Sequence, residues 1–411
     1  VRILLLTPQL PYPPHQGTAM RNYGLLEGLS RRHQVHLVSF LAPGDSLAAA
    51  EPLRALLESF DVVLQPRRSL PQRLLHLVTS PLPDMAHRLA SPDLRAALLR
   101  VLAADRFDVV QFEGIEMIPY LPVLLNLRRG RGDPLLVFDD HNAEYVLQRR
   151  VFEADIRVPL RWPGAAYSSV QYRRLRRYEG WACREVDVVV AVSEPDGQAL
   201  AHIAPGVEVD IVPNGVSFAD YASYKAPDTY LPPHSLVFTG KMDFRPNVDA
   251  VLWFADHVFP LIRARLPDAQ FYVVGQRPHG RLERLRETTG IVITGRVPET
   301  RPYIASADVY VIPLLSGGGT RFKVLEAMAL RRPIVSTTMG CDGFPVSSGR
   351  EILLADDPQA FAERVLELLA DPARGSSLAQ AGVRFAAQYD WGQIVPRLES
   401  AYTRGRQRES R

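Results

Sequence analysis

The chain has 411 residues, 46% of them hydrophobic and 23% charged, with a formal net charge of +3 at pH 7. The length suits about two domains and the composition is that of an ordinary globular protein. So mild a charge, with no aromatic-interleaved basic stripe, excludes a nucleic-acid-binding role, and no run reaches the roughly 18 apolar residues of a membrane-spanning helix. Cys183 and Cys341 stand far apart and in no metal-ligand spacing, so they read as free thiols of a reducing, cytoplasmic compartment.

The first residues, VRILLLTPQLPYPP, read as a buried strand over 2–7 and not as a leader peptide. Further short apolar runs follow at 34–40, 61–65, 108–113, 135–141, 187–193 and 209–214, then at 236–240, 270–275, 291–295, 309–314, 333–337 and 351–355. Near-continuous apolar runs bounded by turns suit strands buried on both faces. Amphipathic stretches at 18–32, 247–265, 280–288 and 358–370 separate several of them, and 372–404 reads as helical throughout. This alternation predicts parallel, doubly wound sheets. The polar, proline-rich stretch NGVSFADYASYKAPDTYLPPHS interrupts it once. The expected architecture is therefore α/β, with two Rossmann-like domains over 1–215 and 235–390, joined by a linker over 216–234 and facing a cleft. A last helix over 391–411 can cross back to the first domain.

Ligands of open α/β sheets bind beyond the carboxyl ends of the strands, so the residues just after each strand matter most. Gly17 follows the first strand and precedes a helix, where a backbone can approach an anion. Glu113 ends a strand, and His141 follows Asp139 and Asp140 at the end of another. After 236–239 comes GKMDFRPNVDAV, in which Lys241 and Arg245 flank a helix start and suit a phosphate. After 309–314 comes GGGTRFKVLEAMA. Gly317, Gly318 and Gly319 expose backbone N–H groups, Thr320 is expected to begin a helix, and Arg321 and Lys323 add charge, which together would hold a diphosphate. Glu326 can accept hydrogen bonds from vicinal hydroxyls such as those of a ribose. Of 48 basic residues only Lys225, Lys241 and Lys323 are lysines, and two of the three fall in these glycine turns. The spacing of a P-loop and of a G-x-G-x-x-G dinucleotide fingerprint are both absent.

GGGTRFKVLEAMALRRPIVST, FTGKMDFRPNVDAVLWFADHVFP and ILLADDPQAFAERVLELLAD resemble the retaining GT-B glycosyltransferases, in particular the large bacterial group that uses nucleotide sugars. The resemblance is strongest over 235–392 and looser over 1–215, where PQLPYPPHQGTAMRN and DDHNAEY carry it. It implies a nucleotide-diphosphate-sugar donor in the second domain and a saccharide or lipid-linked acceptor in the first. It implies that Lys241 and Arg245, in swapped order, meet the diphosphate, that Glu326 meets the ribose, that main chain at Arg296 and Val297 holds the base, and that His141 lies near the donor sugar. The family carries a second acid eight positions before the ribose glutamate; here Gly318 stands there, so backbone N–H groups of Gly318, Gly319 and Thr320 would replace it.

The implied reaction is retaining transfer in polysaccharide or glycolipid synthesis, with no cofactor and no metal, since no DxD-like pair is found and cations would stabilise the leaving diphosphate. His141 would position the sugar. Two basic, aromatic or apolar stretches, 67–83 and 162–186, could rest on an anionic membrane at its inner face. The alternatives are a nucleotide-sugar epimerase or hydrolase on the same fold, or a non-catalytic nucleotide-sugar-binding protein.

Overall fold

A computed structural model describes the chain apart from residues 15–16, 129–131, 228–229 and 410–411, so the last two residues of the expected C-terminal helix and two of the expected linker lie outside the described residues. Two compact units emerge, one of Val1–Asn214 with Trp391–Arg411 and one of Gly215–Asp390.

The first unit holds strands β1 (Arg2–Thr7), β2 (Gln34–Leu41), β3 (Ser59–Leu64), β4 (Val109–Glu113), β5 (Leu135–Asp140), β6 (Val188–Ala191) and β7 (Val209–Ile211). They pair in parallel in the order β3-β2-β1-β4-β5-β6-β7. The second unit holds β8 (Ser235–Thr239), β9 (Gln270–Val274), β10 (Ile291–Gly295), β11 (Val309–Ile312), β12 (Ile334–Ser336) and β13 (Leu353–Leu354). Their order is β10-β9-β8-β11-β12-β13, again all parallel. Both sheets start in the middle and grow outward in two directions. Right-handed crossovers that run both ways from a central strand put helices on both faces. The central strands β4, β5, β8 and β11 are accordingly buried along their whole length.

Every expected strand forms, but three helical expectations need correction. The stretch expected as a helix over 280–288 is a run of 3-10 turns, Gly280–Glu287, and its two buried residues Leu282 and Leu285 are three apart, the period of that helix. The helix expected over 247–265 begins at Arg245 and contains a π turn at Phe254–Val258, just before Pro260, which has no N–H to continue the ladder. The stretch 372–404 divides into Pro372–Ala387 and Trp391–Glu409.

The second of these helices packs on the first unit. A side chain at Gly24 would meet the Trp391 ring at 2.0 Å, and one at Gly28 would meet Val395 at 2.4 Å, so both glycines permit close helix contact. Residues 216–234 carry a short helix, Phe218–Ala222, that belongs to the second unit. Among the described residues no helix is long and apolar enough to cross a membrane.

Candidate functional site

The strand order of the second unit reverses between β8 and β11, and the crevice beyond the carboxyl ends of such a pair is where open sheets bind ligands. The turn after β8 is pressed against the end of β9. Gly240 N–H donates to the Val274 carbonyl at 3.0 Å, and a Cβ on Gly275 would lie 1.7 Å from the Gly240 oxygen. Only glycine fits there, so the turn carrying Lys241 has a fixed place. The loop after β11 reaches the same spot. Gly317 has φ +111°, and a Cβ on it would lie 3.5 Å from Pro246, in the first turn of the helix Arg245–Trp253.

Lys323 joins the two turns. Its ammonium donates to the Thr239 carbonyl at 2.8 Å and to Asn247 Oδ1 at 3.3 Å, and lies 4.1 Å from the centre of the Phe238 ring. Asn247 in turn donates to the Lys241 carbonyl at 3.0 Å. All these partners are neutral, and among the described ion pairs Lys323 has no carboxylate. Burial pulls its ammonium down to about 7, with Arg321 adding to the shift and Glu326 opposing it. Lys241 and Arg245 lie nearer solvent, each beside a local acid: Lys241 with Asp243 at 3.7 Å and Arg245 with Asp249 at 3.5 Å.

The glycine loop differs from expectation in one respect. The helix begins at Phe322, not at Thr320, because Arg321 takes φ −97°, ψ 90°, outside the helical region. Arg321 is buried and donates to the Gly318 carbonyl at 2.7 Å, which braces the loop from within. Thr320 packs its methyl against Gly343, where a side chain would stand 2.6 Å away. Gly319 has φ +75°. The first-turn N–H groups without a helical acceptor are thus those of Phe322 and Lys323.

Glu326 sits one turn further along and accepts from the Tyr221 hydroxyl at 2.8 Å. Burial raises its pKa, while Tyr221 and Lys323 oppose the rise. Arg296 and Val297 follow β10, the first exposed and the second packed on the core. Asn247 and Tyr221 escaped the sequence reading. Asn247 stood in a quoted motif without a charge to mark it, and Tyr221 lay in the expected linker.

In the first unit the strand order reverses between β1 and β4. His141 follows β5 directly, and its Nε2 is 2.9 Å from Glu113 Oε2, at the end of β4. Glu113 is 1% exposed and well held. Gln111 Nε2 donates to it at 2.5 Å, and the Asn22 amide, oriented to satisfy its partners, donates at 2.9 Å. The Tyr402 hydroxyl, from the C-terminal helix, donates to Gln111. With Glu113 as acceptor for Nε2–H, His141 keeps Nδ1 as its other polar atom. A Cβ on Gly114 (φ +81°) would stand 3.5 Å from Nδ1. Next to this network Arg21 grips Asp139 with Nε at 3.1 Å and Nη2 at 2.8 Å, and donates from Nη1 to Asn214 at 3.1 Å. Gly17 is the exposed first residue of the helix Gly17–Ser30 that carries Arg21.

His141, Asn142, Thr18, Gln65, Glu116 and Glu144 are among the residues that wall a pocket of about 220 Å³. Among the described residues, ligand atoms of Glu113, Asp139 and His141 fall within 4.8 Å of one another, a spacing that could suit a metal. Their atoms are engaged already: Asp139 by Arg21, and Glu113 by His141, Gln111 and Asn22. The set reads as a hydrogen-bonded network.

A family model described as Glycosyltransferase Family 4 matches residues 16–219, and one described as Glycosyl transferases group 1 matches residues 233–371. A phosphatidyl-myo-inositol mannosyltransferase of Propionibacterium freudenreichii is 28% identical over 225 residues, which are 53% of this chain and 56% of that protein. The chain thus spans about half the length of the mannosyltransferases it matches. Among solved structures, Anabaena HepE in complex with UDP aligns over 98% of this chain and 100% of that one, with a TM-score of 0.66 and 15% identity. Sucrose-phosphate synthase of Thermosynechococcus elongatus aligns over 98% of each chain, with a TM-score of 0.68 and 16% identity. At such identity the likeness is one of fold, the two-sheet GT-B arrangement.

Proposed function

We infer the activity from family membership: the chain belongs to the group 1 and family 4 glycosyltransferases, and the reaction its residues support best is retaining transfer of a sugar from a nucleotide diphosphate to a hydroxyl-bearing acceptor. One observation carries the donor assignment. Lys323 is a partly buried ammonium surrounded by neutral acceptors, at the meeting point of two glycine turns and a helix start. A cation drawn out of water without a counter-charge is unfavourable until an anion arrives. A diphosphate supplies that anion. Lys323, with Lys241 and Arg245 nearer solvent, would then stabilise the charge that develops as the anomeric bond breaks. Glu326, held by Tyr221, accepts from the ribose hydroxyls, and main chain at Arg296 and Val297 borders the base. The UDP in the HepE structure supports a nucleotide-sugar donor.

His141, with Nε2–H given to Glu113, offers Nδ1 to a sugar hydroxyl and so orients it. No residue is assigned as a general base; in this reading the leaving phosphate takes the acceptor proton. The acceptor is a saccharide or a glycolipid head, the latter supported by the mannosyltransferase relatives. Nucleotide release from a panel of UDP-, GDP-, ADP- and dTDP-sugars, with and without acceptors, tests the whole reading. Release from one donor with the anomeric configuration kept in the product supports it. Binding of a nucleotide sugar with no release under any condition would instead favour a non-catalytic binding protein, the reading to which Gly318 points.

A membrane contact belongs to the same proposal, and it rests on 67–83. The helix Leu70–Thr79 buries no residue, and Leu70, Leu74, Leu75 and Val78 are 70%, 63%, 59% and 83% exposed. Arg67 precedes them and Arg73 lies between Leu70 and Leu74, the pattern of a helix that lies in an anionic lipid surface. The stretch 162–186 is different: its helix Trp162–Glu185 buries Leu175, Tyr178, Ala182 and Cys183 in the core. Vesicle flotation should recover the chain with anionic but not zwitterionic liposomes, and Leu74→Asp with Val78→Asp should abolish recovery. Equal recovery of that variant would remove the helix from the proposal.

A further inference from the structure

The pocket of the first unit differs in charge from the cation site of the second. Its polar lining includes Gln9, Thr18, Gln65 and Asn142, neutral groups that both donate and accept, as a ring of hydroxyls requires. Its ionisable lining is mostly acidic. Glu116, Glu144 and Asp140 border it against Arg88, and Arg88 already lies 3.6 Å from Glu116. Asp140 is 1% exposed, and neither of its carboxylate oxygens has a hydrogen-bond partner. Burial, with the Glu116 charge second, pushes Glu144 up to about 7.

The backbone donors at the helix start that follows His141 are also taken. The helix Glu144–Asp155 starts at the pocket wall, and a helix start is a ready anion site. Here Glu179, buried completely, accepts from Glu144 N–H at 2.6 Å and Tyr145 N–H at 2.9 Å. Asp196 accepts from Ala143 N–H at 3.1 Å. Two acids of the chain itself therefore occupy the place a phosphate would fill.

We propose that this pocket admits an unphosphorylated, hydroxyl-rich ring, and that Glu116 and Glu144 make it reject acceptors whose ring carries a phosphate. The proposal rests on the transferase reading above and narrows its acceptor to a neutral glycosyl or cyclitol unit. A phosphate dianion beside these carboxyls would meet like charge, with Arg88 already beside Glu116 and the start of the Glu144 helix already filled. A neutral ring exchanges hydrogen bonds with water for hydrogen bonds with amides and carboxyls at little electrostatic cost. A phosphate further along a lipid-linked acceptor, outside the pocket, is not affected.

Saturation-transfer NMR on the full chain tests this, with methyl glycosides of glucose, galactose and mannose and with myo-inositol, each against its monophosphate. Every ligand is also run with the Lys323→Met variant, so that anion binding in the second unit is not scored. At least one neutral ring should bind, with its monophosphate weaker by about tenfold or more, and the Glu116→Gln, Glu144→Gln double variant should narrow that gap to about threefold or less. Equal or tighter binding of the monophosphates, no binding of any neutral ring, or an unchanged gap in the folded double variant would each overturn the proposal. Nucleotide release is scored separately. Release that proceeds only with phosphorylated acceptors defeats this inference alone, whereas discrimination by the pocket without release from any donor defeats the transferase reading alone.

Discussion

Replacing Lys323 with Met is expected to lower donor turnover by about 10²–10³-fold, the usual loss when one preorganised charge-stabilising group is removed. The fold should survive, because the methionine chain can follow the lysine stem past Phe238 and Asn247 keeps its bond to the Lys241 carbonyl. Circular dichroism and a melting curve check that. The pH dependence is a sharper signature. The ammonium of the unliganded chain titrates at about 7, and a bound diphosphate would raise that value. Above pH 7 binding must then take up a proton, so the affinity for a nucleoside diphosphate should fall by about tenfold per pH unit until the pKa of the complex is reached. Below pH 7 the lysine should add no slope of its own. Lys323→Arg, charged at every pH, should bind more weakly throughout, because a planar fork does not fit under Gly240, but without the slope. Calorimetric titration with UDP from pH 6 to 9 distinguishes these cases. Turnover and slope both unchanged in Lys323→Met would remove the diphosphate assignment.

Substituting Arg21 with Met should destabilise the first unit by about 3–5 kcal/mol, the cost of stranding a buried carboxylate. Arg21 is 1% exposed and Asp139 fully buried, and the guanidinium also holds the Pro213 carbonyl and Asn214. At roughly 2–4 °C per kcal/mol for a unit of this size, the expected shift in melting temperature is near 10 °C. The sign of its pH dependence follows from Asp139. Burial raises that carboxyl above its ordinary 3.8, and Arg21 opposes the rise. Without Arg21 the folded-state pKa climbs further, so the native state holds a proton that the unfolded state has lost. Stability of the variant should therefore decline as pH rises from about 4 through the raised value and then level off. Adding Asp139→Asn to Arg21→Met should recover a good part of the loss, because no charge is then stranded. A single variant as stable as the parent at pH 8 would mean that the ion pair contributes nothing net.

The strands were legible in the sequence because a central parallel strand is buried on both faces, and an unbroken apolar run such as DVVVAVS or LVFTG has few other uses. The glycine turns were legible for a related reason. A strand that ends in glycine and is followed by lysine or arginine has the makings of a backbone turn open to an anion. Gly240, Lys241 and Lys323 were singled out in that way, and the structure brings Gly240 and Lys323 together across more than 80 positions of chain. Local sequence did not reveal what depends on contacts between distant segments. The helix after the glycine loop begins at Phe322 because Arg321 turns back to Gly318, a competition that no propensity encodes. Asn247 matters because two loops converge on it, and Tyr221 because a short helix in the expected linker lies against Glu326. The grip of Arg21 on Asp139 and Asn214, the chain Tyr402–Gln111–Glu113–His141, and the capping of the Glu144 helix by Glu179 each join residues from separate elements. Periodicity and turn chemistry act over a few residues and so determined the sheets and the positions of the charged turns. Pairing of buried polar groups acts over hundreds, and only the folded chain decided which acid holds which base.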